Sequence, residues 1–230
     1  MFWFAKKVSN VKSAEDILKD LNACIDYTFV MPTVTNKQLE DACNTAYKQK
    51  YRSISVNALH VAYVRSYLQE KFGESPIKII ANIAFPLGEA AAEVKAYEAK
   101  RAMLDGADEI QMVLSISQAK SGAYDAIKNE IHRVVRMVKK CKVGVILETC
   151  YFNREEIAKL AKICLKCKVD SMITSTGYGT NGATEEDIAL LSKIVEGRCD
   201  IVASGGIAVK ADAVHCIRSG ATRIATSREI

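Results

Sequence analysis

The residues Thr174-Ser175-Thr176-Gly177-Tyr178-Gly179 put three aliphatic hydroxyls, a phenol and two glycines into six positions. At the C-terminal end of a barrel strand, such a turn offers hydroxyl and backbone N–H donors to an anion, and phosphate is the ligand that suits them. No amine precedes the turn, because position 173 is isoleucine. Asn57, Thr149, Thr174 and Ser204 are expected near the same mouth, together with Asp26 and Glu148, the one carboxylate pair there. Their expected part is hydrogen bonding within the barrel lining rather than acid–base work. Cys164-Leu165-Lys166-Cys167 has C-x-x-C spacing, but it lies in an amphipathic helical pattern with no second pair at zinc-finger distance, so neither a metal nor a cofactor is assigned.

Elements must carry these side chains, and the pattern alternates. Apolar or alternating strands are read at 23–29, 52–57, 77–85, 109–114, 143–148, from Asp170 into the hydroxyl turn, 200–206 and 221–227. Helices fall between them. Ser13 opens a short one before the first strand, and Thr35, Asn153 and Thr184 each stand three residues before Gln38, Glu156 and Asp187 in the manner of capping boxes. The stretch from Ala91 to Asp105 ends at Gly106, and a long helix is expected from Tyr124 to Lys140. Eight strands alternating with seven helices predict an α/β fold, a single parallel (β/α)8 TIM barrel over 13–230, with a short N-terminal helix and a truncated or absent eighth helix. Residues 1–12 read as an N-terminal extension.

The 230 residues are 49% apolar and 26% charged, which suits one barrel-sized domain. The formal charge of +5 is spread without a basic block, so no nucleic acid is expected, and no apolar run is long enough to span a membrane. Eight cysteines without a secretory leader read as reduced thiols of a cytoplasmic protein.

From Ile25 to Ser227 the chain resembles the deoxyribose-phosphate aldolases. The resemblance rests on Ser55-Val56-Asn57, Phe85-Pro86-Leu87-Gly88, Gly106-Ala107-Asp108-Glu109-Ile110, Ile146-Leu147-Glu148-Thr149, Thr174-Ser175-Thr176-Gly177, Ser204-Gly205-Gly206 and Gly220-Ala221-Thr222-Arg223-Ile224. It implies a class I aldolase barrel without a cofactor or metal, and a phosphorylated sugar bound at Gly177, Gly205, Gly206, Ser227 and Arg228. Arg228 stands where a serine is usual and either clamps the phosphate or fills its site.

The departures fall at the chemistry. The resemblance places the Schiff-base lysine at Ile173, a second lysine at Val202, the proton-handling aspartate at Gln111 and a further lysine at Gly144. An isoleucine forms no imine, and a glutamine accepts no proton at neutral pH. Lys78 falls at the wrong end of its strand and Lys95 in a helix. The expectation is therefore a pseudoenzyme without aldolase activity, acting as a binding, regulatory or scaffold protein with a protein partner or as a homo-oligomer through Val209, Val214, Ile217 and Ile230. The alternatives are a phosphosugar sensor and an active aldolase or lyase with a rearranged site.

Overall fold

The computed structural model describes residues 13–230, and the expected extension over 1–12 lies outside them. Eight strands, β1 (Ile25–Phe29), β2 (Ser53–Asn57), β3 (Lys78–Ile83), β4 (Glu109–Val113), β5 (Lys142–Ile146), β6 (Ser171–Ile173), β7 (Asp200–Ser204) and β8 (Arg223–Thr226), close in sequence order into one parallel barrel. The seam pairs β1 with β8, Asp26 standing beside Ala225.

Helix α1 (Ala14–Lys19) precedes the barrel, capped by Ser13, whose hydroxyl accepts from the Asp16 N–H. The crossings are α2 (Asn36–Gln49), α3 (Val61–Phe72), α4 (Ala92–Leu104), α5 (Ile116–Lys120) with α6 (Tyr124–Met137), α7 (Arg154–Cys167), α8 (Glu185–Val195) and α9 (Lys210–Arg218). Capping boxes open α2 at Thr35 with Gln38 and α7 at Asn153 with Glu156, as the spacing predicts. Thr184 also caps α8 through the Asp187 N–H. Helix α6 ends at Met137, short of the expected Lys140, and α5 was not foreseen.

Period-two alternation sends each strand's side chains to two places. One set packs outward against the helices, with Ile54, Ile79, Ile110, Val145 and Met172 in that shell, all fully buried. The other set fills the barrel, where Val113, Ile146, Ile173, Val202 and Ala225 form a separate apolar cluster beneath Phe85. Fully burying a side chain of this size contributes about 1.5–3 kcal/mol.

No helix follows β8 through Ile230. The apolar face expected at that end does not form as a unit. Ile217 is buried, Val214 and Ile230 are half-buried, and Val209 is exposed. Ile217 and Ile230 join the core, so two of these four side chains are spent on packing.

Candidate active site

The barrel interior has three levels. At the N-terminal ends of the strands, Arg223 in β8 pairs with Asp26 at 2.7 Å and with Glu109 at 2.9 Å. Arg52, just before β2, reaches Asp26 at 3.0 Å and also bonds Glu109, while Ser53 donates to Asp26 at 2.6 Å. Burial pushes the Glu109 carboxyl up, but Arg223 and Arg52 more than offset this and hold it below the usual carboxylate range. Asp26 therefore does not stand at the mouth with Glu148. As the second residue of a five-residue strand it sits low, drawn to two guanidinium groups.

Above this charged floor lies the apolar layer. Ile173 and Val202 are neighbours in register across β6 and β7, both buried among apolar side chains. Gly144 shows why the layer is closed: a Cβ there would come within 2.7 Å of Ile173 Cδ1 and 2.4 Å of Ser171 Oγ. The isoleucine thus fills the space that a side chain on β5 would need. Gln111, beside Gly144 in register, is buried with its Nε2 unpartnered among the described residues. Lys78 is exposed at the N-terminal end of β3. Lys95 is fully buried, with its ammonium on Glu130 at 2.6 Å and on the Val113 carbonyl at 3.0 Å, outside the barrel.

The mouth is polar. Glu148 follows β5 in a left-handed conformation, φ 53° and ψ 61°, which turns its carboxylate toward β6. There it accepts from the Thr176 N–H at 3.2 Å and from the Thr176 hydroxyl. Burial raises its pKa, although both Thr176 bonds oppose the shift. Beside it, Thr149 Oγ1 and Ser175 Oγ are buried and unpartnered among the described residues. Thr174 instead locks β6 to β7, its hydroxyl donating to the Ser204 carbonyl and accepting from the Ser204 N–H, each at 3.0 Å. Asn57 is tied to the Val30 carbonyl at 3.1 Å.

The structure brings together Gly177 and Gly205: a Cβ on Gly205 would lie 3.7 Å from Gly177 Cα. Gly177 and Gly206 have φ of 84° and 79°, values that favour glycine, and open space where a side chain would be. The N–H groups of Gly177, Gly205 and Gly206 donate to no described residue. Ser227 and Arg228 follow β8, whose Ala225 is in register with Ser204. Both are exposed, and Arg228 makes no ion pair among the described residues.

Tyr178 was not singled out as a site residue. Its hydroxyl donates to the Val30 carbonyl at 3.2 Å, and its ring meets Phe85 edge-on at 5.5 Å. The loop after β6 therefore crosses the mouth to the ends of β1 and β3. A cavity of about 280 Å3 lies against it, lined by Asn57, Asn82, Phe85, Glu98 and Tyr178 among others. The only sequence signal was an aromatic inside a glycine-rich turn. Cys164 and Cys167 are buried, and burial raises both thiols, so the C-x-x-C is packing.

A family model described as DeoC/LacD family aldolase matches residues 21–230. The chain belongs to the DeoC/LacD aldolase family. A deoxyribose-phosphate aldolase of Thermococcus gammatolerans is 39% identical over 210 residues, covering 90% of this chain and 92% of the relative. Among solved structures, one described as QR15, an aldolase, superposes with a TM-score of 0.85 at 34% identity, over 90% of this chain and 91% of the other. The deoxyribose phosphate aldolase of Aeropyrum pernix, described as a unique tetramer, gives 0.83 at 27% identity over 98% and 94%. These family relatives overturn the expectation of a pseudoenzyme without aldolase activity. Curated proteins 35–39% identical over about nine-tenths of the chain carry the name deoxyribose-phosphate aldolase. Ile173, Val202 and Gln111 close one chemical route in this aldolase-family barrel, but a closed route is not an absent activity.

Proposed function

We propose that this chain is a carbon–carbon lyase of the deoxyribose-phosphate aldolase type, acting on a phosphorylated deoxy sugar through a rearranged site. The likeness to proteins of that name, 39% identity over 210 residues, carries the reading. The phosphate sits at Gly177, Gly205 and Gly206, whose N–H groups donate to no described residue, with Ser227 and Arg228 at the rim.

Glu148 handles the proton. Its carboxylate, made more basic by burial, accepts the proton of the sugar hydroxyl as the neighbouring carbon–carbon bond breaks, then returns it to the carbon of the departing aldehyde, so no proton is gained or lost. The negative charge on the departing oxygen is held by the unpartnered hydroxyls Thr149 Oγ1 and Ser175 Oγ beside Glu148, in place of an imine. Cys43, Cys141, Cys150, Cys164, Cys167, Cys199 and Cys216 are free thiols, which suits the reducing cytoplasm, and no helix of the described residues is long and apolar enough to cross a membrane. A homo-oligomer is part of the reading, as a relative is described as tetrameric.

The test is a retro-aldol assay with 2-deoxyribose 5-phosphate, run beside borohydride trapping read by intact mass. Turnover without a covalent adduct is expected. Glu148→Gln should lower the rate by about 10²–10⁴-fold. Activity of the unaltered chain should fall in acid with a midpoint above the ordinary glutamate value of 4.5, and that limb should vanish in the variant. No turnover from folded protein beside an active aldolase overturns the reading; an adduct replaces Glu148 by a lysine.

A further inference from the structure

The cavity beside Tyr178 is lined by Asn57, Leu59, Asn82, Phe85, Glu98 and Tyr178 among others, and the lining includes no lysine, arginine or histidine among the described residues. Its hydrogen-bond donors are nearly all spent on the protein. Asn82 Nδ2 donates to Ser55 Oγ at 2.8 Å and to the Val56 carbonyl at 3.1 Å, so both of its amide protons are used. The Tyr178 hydroxyl and Asn57 Nδ2 both donate to the Val30 carbonyl, which fills its two lone pairs and leaves one Asn57 proton. The polar atoms left over are acceptors: Asn57 Oδ1, Asn82 Oδ1 and Glu98 Oε1. Glu98 uses only its other oxygen, which accepts from the Ala84 N–H at 2.8 Å. Ion pairs on α4 take up Glu93, Lys95, Arg101 and Asp105, whereas half-buried Glu98 has no cation among the described residues.

We infer that this cavity is a binding site for a small primary amine in its ammonium form. An ammonium carries three donors and no acceptor, the complement of three free oxygens of which one is charged. Phe85 and Tyr178, edge-on at 5.5 Å, add aromatic surface that favours a cation, and the apolar tail of the amine falls to Phe85 and Leu59. A volume of about 280 Å3 limits the ligand to a short chain. An anion would find no cation here and a single free donor. The mouth is thereby divided, with free N–H groups at Gly177, Gly205 and Gly206 in the turns after β6 and β7, and free oxygens at the ends of β2 and β3 and on α4. An amine and a phosphate can therefore be held together, one at each end.

Calorimetric titration of the full chain with propylammonium chloride at pH 7 reads the site by binding alone, so its outcome is separate from that of the lyase reading. One saturable site per chain is expected, retained in saturating inorganic phosphate, with no comparable binding of propan-1-ol or potassium chloride. Glu98→Gln keeps an oxygen for the Ala84 N–H and should weaken propylammonium binding by about tenfold or more. No saturable binding, displacement by phosphate, equal binding of propan-1-ol or potassium, or an unchanged affinity in folded Glu98→Gln overturns the inference. If that variant does not fold, the contrast between propylammonium and propan-1-ol on the unaltered chain decides.

Discussion

Ile173 stands in the apolar layer of the barrel, where the sequence offers no amine. It is packed among Val113, Ile146, Val202 and Ala225, with its Cδ1 in the space a side chain on Gly144 would need. Placing a lysine there by itself would bury an amine among apolar side chains. Ile173→Lys should therefore destabilise the fold by about 3–5 kcal/mol at neutral pH, in the range seen for uncompensated buried charges. An unfolded lysine ionises near 10.4 and the buried one lower, so the loss should shrink as pH rises toward that value; urea melts at pH 7 and pH 10 would show it. Arg223 presents the opposite case. It neutralises Asp26 and Glu109 in the floor, and Arg223→Ala should cost about 3–5 kcal/mol by leaving them under-paired. Glu109 is held below the usual carboxylate range, so its contribution is present above that range and lost as pH falls. Chemical denaturation should accordingly show the gap between Arg223→Ala and the unaltered chain closing in acid.

At the scale of elements, most of the fold was legible. β-branched runs gave the strands, and capping residues gave the helix starts. Asn153→Ala tests one such start: it removes the acceptor for the Glu156 N–H and should lower stability by about 1 kcal/mol, read as a shift in thermal midpoint. What was not legible had physical causes. Helix α5 has five residues, too few for a period to show, and Glu89 fixes its start by accepting from the Ser117 N–H and hydroxyl. Asp26 was expected at the wrong end because alternation gives the face of a strand, not the height along it. Glu148 was noticed as a polar residue, but its left-handed backbone and its bonds to Thr176 depend on a loop 28 residues away.

For the whole molecule, the substitutions at Gln111, Gly144, Ile173 and Val202 are local, whereas the likeness to named aldolases runs over nine-tenths of the chain. The expectation of a pseudoenzyme, read from those few positions, is overturned by that likeness, and the rest of the mouth keeps its turns, hydroxyls and a carboxylate. The charged floor has a further consequence for how the protein is made. Asp26 and its partner Arg223 are 197 residues apart in the chain, and they meet across the β1–β8 seam. During synthesis the first strand leaves the ribosome long before that guanidinium exists. Asp26 can meet Arg52 and Ser53 early, but its pair with Arg223 waits until nearly all of the barrel has emerged, so the ring closes late. A nascent chain stalled between β7 and β8 should still be open to protease at β1.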